Sequence, residues 1–252
     1  MSHSYYIDKR SGTSSDTALA VGFARMVQAL LLELGKPADD VRVVDVGPCY
    51  RIDTPEAIGN DALEQITSLN FIQHLDTATQ EKALGQHYGH GFPYDTQRQI
   101  RNEYREKRKG LPPAARSPDA YLNNDPALAL FHEMNPPPDT LLPLYLVINQ
   151  MKVASSFNEP VIRWRELPPA LLHQHIRLLL DLFSKTPNSV DQAVIAWKQL
   201  TKTHNLGDAD MTMLQVINPT TGKGANRAKA NALTIGGLDE FWMLELLKFA
   251  GF

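Results

Sequence analysis

Cysteine occurs once in these 252 residues, at Cys49, which excludes an internal disulfide and any cysteine-rich zinc site. Long apolar runs are missing as well. Stretches such as Leu144–Ile148 fall far below the ~20 residues that cross a bilayer. The opening Met1-Ser-His-Ser-Tyr-Tyr does not follow the basic-then-apolar pattern of a signal peptide. No fixed-period repeat is found. With 43% hydrophobic and 21% charged residues the composition is that of a globular chain, which excludes a mainly disordered or collagen-like one. These absences lead us to expect a soluble protein of a reducing cytoplasm, with no membrane partner. Cys49 reads as a small buried hydrophobe.

Acid is the other scarce commodity, but only locally. Residues 211–238 contain Lys223, Arg227 and Lys229 and no acidic residue. Residues 98–109 carry Arg98, Arg101, Arg105, Lys107, Arg108 and Lys109 against Glu103 and Glu106. The net charge of −3 conceals this: with those nine basic and two acidic residues set aside, 16 basic face 26 acidic residues, a balance of −10. A polyanion would meet two basic islands on a repelling surface, which favours a directed contact.

Tyr5–Ile7 reads as a short strand. Leu19, Phe23, Met26, Val27, Leu30 and Leu34 recur at helical spacing, with Ser15 or Asp16 suited to cap the start and Gly35 and Pro37 ending the pattern. Val41–Val46 is β-branched and bounded by Gly47-Pro48, and Cys49–Ile52 continues it beyond a bend, as a strand or a hairpin arm. Asp53 or Thr54 before Pro55 predicts a helix start. Short and long helices are expected over 77–84 and 94–109. Proline clusters bracket a loop-rich stretch at about 110–140, and Leu141–Ala154 reads as a buried helix. Leu171–Phe183 and Val190–Leu200 should form an antiparallel helical hairpin. Met211–Ile217 reads as a strand, and Gly236-Gly237 precedes a last helix with Asp239 and Glu240 in its first turn. That helix is apolar nearly all round, so something must cover it: a partner subunit, or further chain. The expected fold class is α+β, a small mixed sheet with predominantly helical packing, in one domain over 1–252.

Chemistry concentrates in Asn218-Pro-Thr-Thr-Gly-Lys-Gly-Ala-Asn-Arg-Ala-Lys-Ala-Asn231. Gly222 and Gly224 let the backbone approach a ligand and present its N–H groups to an anion. Lys223, Arg227 and Lys229 supply charge for phosphate. Asn226 and Asn231 can pair with base edges, and the Thr220 and Thr221 hydroxyls assist. The segment is not a P-loop, because the Gly-Lys-Ser/Thr ending is absent. On the helix over 94–109, Arg101, Arg105 and Arg108 fall on one face and could track a phosphate backbone, with Tyr94 and Tyr104 available for stacking. Glu103 and Glu106 could instead pair with those arginines. His87 and His90, with Asp95 nearby, lack the spacing and the glutamate of a zinc helix, and His173 and His175 face different ways. No nucleophile elbow or acidic metal cluster is present. The expectation is therefore a non-enzymatic protein with no cofactor and no metal.

The segment 218–231, followed by Gly-Gly-Leu-Asp-Glu-Phe-Trp-Met-Leu-Glu-Leu-Leu-Lys-Phe249, resembles the large-subunit proteins of type I CRISPR interference complexes. The opening Ala20-Val-Gly-Phe-Ala-Arg-Met-Val27 and the strand after it are compatible with that family. The resemblance covers about a third of the chain and includes no catalytic motif. It implies a non-catalytic subunit of a ribonucleoprotein complex for antiviral defence. Such a subunit contacts guide RNA and target DNA, probes a short motif beside the guide-paired region, and recruits a separate nuclease. Those subunits are longer, so this chain would correspond to their N-terminal part, with the helix 238–249 meeting other subunits. Two further readings fit the residues: an enzyme whose Gly/Lys segment 218–231 binds a nucleotide or phosphate, and a purely structural assembly subunit.

Overall fold

The computed structural model describes residues 3–77, 91–117, 120–134, 136–150, 154–212 and 239–252. The expected short helix over 77–84 therefore lies almost wholly outside the described residues. So do His87, His90 and the segment 218–231. The chain is an α+β protein that divides into two compact units, one made of Met1–Gln73 with Ser156–Phe252 and the other of His74–Ser155.

In the first unit, β1 (His3–Asp8), β2 (Arg42–Asp45) and β3 (Cys49–Thr54) form an antiparallel sheet in the order β1-β3-β2. The register pairs Tyr5 with Ile52 and Val43 with Ile52. Gly47, at φ +94°, turns β2 into β3 in the left-handed region that glycine enters without steric cost. Tyr5, Ile7 and Ile52 are buried, and the Tyr5 ring meets Phe23 of α1 (Ser14–Glu33) edge-on at 5.3 Å. The Thr13 side chain, not that of Ser15 or Asp16, caps α1 by accepting from the Ser15 N–H. Asp16 instead accepts from the Ser11 and Gly12 amides before the helix, tightening the turn that leads in. The outer edge of β1 is occupied: the Tyr6 N–H donates to the Phe183 carbonyl at 2.7 Å, and the Asp8 N–H to Asn188 Oδ1 at 2.9 Å. An edge strand closed this way offers no template to another chain.

Thr54 begins no helix. Its hydroxyl donates toward the His3 and Glu56 carbonyls, so Thr54 ends β3, and the short α2 starts only at Asn60 (Asn60–Leu63). After α6 (Ala154–Arg165), α7 (Pro169–Leu182) and α8 (Val190–Leu200) pack as the expected helical hairpin. Between them sits a buried polar relay. Trp197 Nε1–H donates to His175 Nε2 at 2.9 Å, and His175 Nδ1 lies 2.7 Å from the Leu171 carbonyl. The imidazole is therefore neutral with its proton on Nδ1. Burial, opposed by the Leu171 hydrogen bond, lowers its pKa to about 4.

The last elements depart from the sequence-based expectation. Asp239 and Glu240 belong to β7 (Asp239–Phe241), which pairs antiparallel with β6 (Asp210–Thr212), and α9 begins at Trp242 (Trp242–Gly251). Covering for α9 comes from the chain itself, because every residue from Trp242 to Ala250 is buried and α1 lies directly against the helix. A Cβ added at Gly22 would stand 1.7 Å from the Leu247 carbonyl oxygen, and one at Gly251 1.9 Å from that of Ala18. The two helix backbones touch because neither glycine has a side chain. Arg25 reinforces the contact by donating from Nη1 to the Ala250 carbonyl at 3.1 Å. Helix α1 is long and apolar enough to span a bilayer by length and composition, but 67% of that apolar window is buried within the protein.

In the second unit, β4 (Leu75–Asp76) and β5 (Phe92–Pro93) pair in parallel, followed by α3 (Tyr94–Arg108), two single 3₁₀ turns, α4 (Asp125–Glu133) and α5 (Leu142–Gln150). Helix α4 stands inside the stretch expected to be loop-rich. Asn124 caps it by accepting from the Ala127 N–H, and Pro126 suits its first turn. Helix α5 buries only Leu142, Tyr145 and Ile148 and leaves Val147 39% exposed, so it is amphipathic and not buried all round.

Two outcomes are expected. Helix propensity alone would favour alanine over glycine by about 1 kcal/mol. Gly22→Ala should nonetheless destabilise the fold by about 1–3 kcal/mol or more, because the added carbon forces α1 and α9 apart; urea denaturation checks this. His175 has a folded pKa of about 4 against an unfolded value near 6.5. Below pH 6.5 the unfolded state therefore takes up the proton first. The stability present above that pH should fall, by on the order of 3 kcal/mol, as pH drops toward 4. Comparing the pH dependence of the urea midpoint with that of His175→Gln isolates this contribution.

Candidate nucleic-acid interface

Twelve residues were singled out in the sequence, and nine of them, Thr220, Thr221, Gly222, Lys223, Gly224, Asn226, Arg227, Lys229 and Asn231, lie outside the described residues. What is described is where that segment joins the fold. Thr212 pairs with Asp239, Met211 with Glu240 and Asp210 with Phe241, so the residues on either side of 213–238 are strand neighbours. The stem is anchored in the core. The Trp242 N–H donates to the Ala209 carbonyl. Lys248 Nζ lies 3.1 Å from Glu240 and 2.7 Å from Glu245. Burial by itself would lower the pKa of Lys248, but the attraction of Glu245 and Glu240 outweighs it and holds that pKa above the ordinary lysine value.

The remaining three, Arg101, Arg105 and Arg108, stand on α3 in the second unit and line one cleft of about 500 Å³. The four-residue rise from Arg101 to Arg105 and the three-residue step to Arg108 place them along one side of the helix. Glu103 and Glu106 do not neutralise them. Glu103 accepts from Gln99 at 3.2 Å, and Glu106 pairs with Lys109. The Lys109 hydrogen bond is the main cause holding the Glu106 carboxyl below its usual range, with Arg105 adding to it. Arg98 is engaged with Asp95 at 3.8 Å. Arg101, Arg105 and Arg108 have no carboxylate within ion-pair distance among the described residues. On the opposite flank of α3, a flatter hollow is lined by Asp95, Glu103 and Glu106 as well as Arg98 and Lys107, and its mixed charge suits no polyanion.

The stacking residues are not the ones expected. Tyr94 and Tyr104 are 3% and 5% exposed. The Tyr94 hydroxyl accepts from Asn149 Nδ2 at 3.0 Å, and Tyr104 packs with Leu130 and Met134. In their place the cleft presents Tyr121 and Phe131, both half-buried, with rings stacked at 4.5 Å and 11°. Phe131 also meets Tyr104 edge-on at 5.9 Å, so the platform is fixed from behind. Sequence reasoning missed this pair because Tyr121 and Phe131 sit in the proline-bracketed stretch. The usable signal was Asn124-Asp-Pro, a helix start that places Phe131 on the inward side of α4.

The Tyr104 hydroxyl is buried, and its proton has no acceptor among the described residues. Burial raises its pKa, opposed by the charge of the Arg108 guanidinium and by that group's hydrogen bonding toward the phenol oxygen; the guanidinium lies 5.4 Å from the ring centre. Asp139 is the one carboxylate lining the cleft, and its Oδ1 already accepts from the Leu141 N–H at 2.7 Å. The cleft is therefore cationic and aromatic, with one unused buried donor. No cluster of three or more histidine, cysteine or acidic side chains able to hold a metal is found among the described residues. Cys49 is buried, and burial raises its thiol pKa, so it is a poor nucleophile.

No family model, curated protein or solved structure matches this chain.

An unsatisfied buried hydroxyl carries a desolvation cost of ~1–3 kcal/mol. In the absence of any ligand, Tyr104→Phe should therefore leave stability unchanged or raise it by about 1 kcal/mol. Thermal and urea denaturation read this directly, and a clear loss of stability would mean that the hydroxyl has a partner.

Proposed function

We propose that this chain is a non-catalytic nucleic-acid-binding subunit. On the resemblance of 218–249, it belongs to a CRISPR guide-RNA surveillance complex. In that role it contacts guide RNA and the target DNA next to the guide-paired region, probes a short motif there, and helps recruit a separate nuclease in the cytoplasm. The observation that carries the binding part of the proposal is the row Arg101, Arg105 and Arg108. Three guanidiniums without carboxylate partners among the described residues border a cleft with a stacked aromatic pair. Guanidiniums left unpaired in this way suit phosphate, which they bind through two parallel hydrogen bonds. Segment 218–231 supplies the second basic element, with Lys223, Arg227 and Lys229 for phosphates and Asn226 and Asn231 for base edges. Because α1 already covers the apolar surface of α9, contacts with other subunits in this assembly fall on other surfaces.

The test is a salt titration by fluorescence anisotropy on a short DNA duplex. Binding should weaken linearly on a log–log plot. Arg101→Ala/Arg105→Ala/Arg108→Ala and Lys223→Ala/Arg227→Ala/Lys229→Ala should each flatten the slope by about 2.7, the loss of three phosphate contacts. Slopes unchanged in both variants would overturn the proposal.

A further inference from the structure

We infer that the cleft beside α3 captures an unpaired nucleotide, with its base stacked on the Tyr121–Phe131 pair and its phosphate held by Arg101, Arg105 and Arg108. The inference rests on the nucleic-acid reading above and narrows it from a general polyanion to a single-stranded segment.

Three observations within the second unit converge on it. The first is the platform. Tyr121 and Phe131 are near-parallel at 4.5 Å, and the edge contact from Tyr104 fixes Phe131 in place. A base whose faces are free gains from such a surface. A base inside a duplex is already stacked on both sides and gains nothing. The second is charge placement: the cationic groups border the same cleft as the rings, so one ligand must bring a flat apolar face and an anion together. An acidic peptide supplies the anion without the ring, and an apolar ligand the ring without the anion.

The third observation is the Tyr104 hydroxyl, buried and with no acceptor for its proton among the described residues. The Tyr104 residue lines the cleft, and a buried donor of this kind wants an acceptor. A phosphate oxygen or a ring nitrogen of a base entering the cleft supplies one. The volume of about 500 Å³ suits one nucleotide, within the roughly 300–1,000 Å³ of small-ligand clefts. Asp139, the lining carboxylate, accepts from the Leu141 amide.

The experiment uses the full chain and a short single-stranded DNA carrying 2-aminopurine, whose emission is quenched on stacking. The same sequence as a duplex and free ATP serve as comparisons. We expect quenching on binding. Tyr121→Ala should abolish the quenching and weaken single-strand affinity about tenfold or more. Tyr104→Phe, which keeps the ring and its packing, should weaken single-strand affinity about fivefold. If both variants bind the single strand as the unmodified chain does, while the triple arginine variant binds weakly, nucleotide capture is overturned and the nucleic-acid reading stands. If the unmodified chain binds neither strand nor duplex, both fall together. Displacement of the probe by ATP as effectively, per nucleotide, as by unlabelled strand would assign the cleft to a free nucleotide and overturn capture from a strand.

Discussion

The first and last helices of the chain touch backbone to backbone, and the first unit depends on that contact. Gly22 faces the Leu247 carbonyl and Gly251 faces that of Ala18, so α1 and α9 approach more closely than side chains would permit. Such an approach gains dispersion contacts along both helices and brings Ala18, Gly22 and Arg25 of α1 against Leu247, Ala250 and Gly251 of α9. It also fixes where α9 starts. Trp242 is held to the Ala209 carbonyl, and Lys248 reaches back one turn to Glu245 and across to Glu240 in β7. The β6–β7 stem thus inherits its position from a helix contact made possible by two missing side chains.

A lysine and a glutamate buried side by side cost desolvation, and their attraction offsets it only with good geometry. Here one ammonium serves two carboxylates, and Glu240 also lies 3.6 Å from Arg10 in the turn before α1. The arrangement ties three stretches distant in sequence: the β1–α1 turn, β7 and α9. Hydrophobic packing could hold α9 equally well, but it would not fix the register of β7 against the helix. The ion pairs have direction, and the β6–β7 stem is held by them.

Much of the architecture was legible because it follows from periodicity. The stripes of α1, α7 and α8, the hairpin of β2 and β3 and the basic side of α3 all have local causes, and the structure agrees with them. The α+β class followed from these elements. What escaped had non-local causes. An all-round apolar helix announces that it is buried without saying by what, and α9 proved to be covered by the chain's own first helix. Asp239 and Glu240 looked like a helix start by charge, yet pairing with Asp210–Thr212 made them a strand, because a distant partner outweighs a dipole preference. Tyr94 and Tyr104 looked available for stacking because α3 is so polar. They are in fact the two buried residues of that helix. The arginines of the candidate site were visible in the sequence; their aromatic counterpart, supplied by a separate turn and helix, was not.

The second unit raises its own question of stability. Besides the Phe92–Tyr145 stack and the buried Leu75, Tyr94, Leu142 and Ile148, two small clusters pack around α3 and α4 among the described residues. Tyr104, Leu130 and Met134 form one, and Ala115, Ala120 and Ala127 the other. Three alanines bury little apolar area, and the bridging residues Leu111, Tyr121 and Phe131 are only partly covered. The rings that would hold a base are therefore the same rings that join the two clusters. A ligand seated on them extends the apolar core while supplying the counter-charge that the three arginines lack. Binding there and folding of this region draw on one set of contacts, so occupancy must stabilise the unit in proportion to the logarithm of ligand concentration over Kd. A site built this way cannot be strengthened by rigid packing alone without losing the open aromatic face on which the proposed recognition depends.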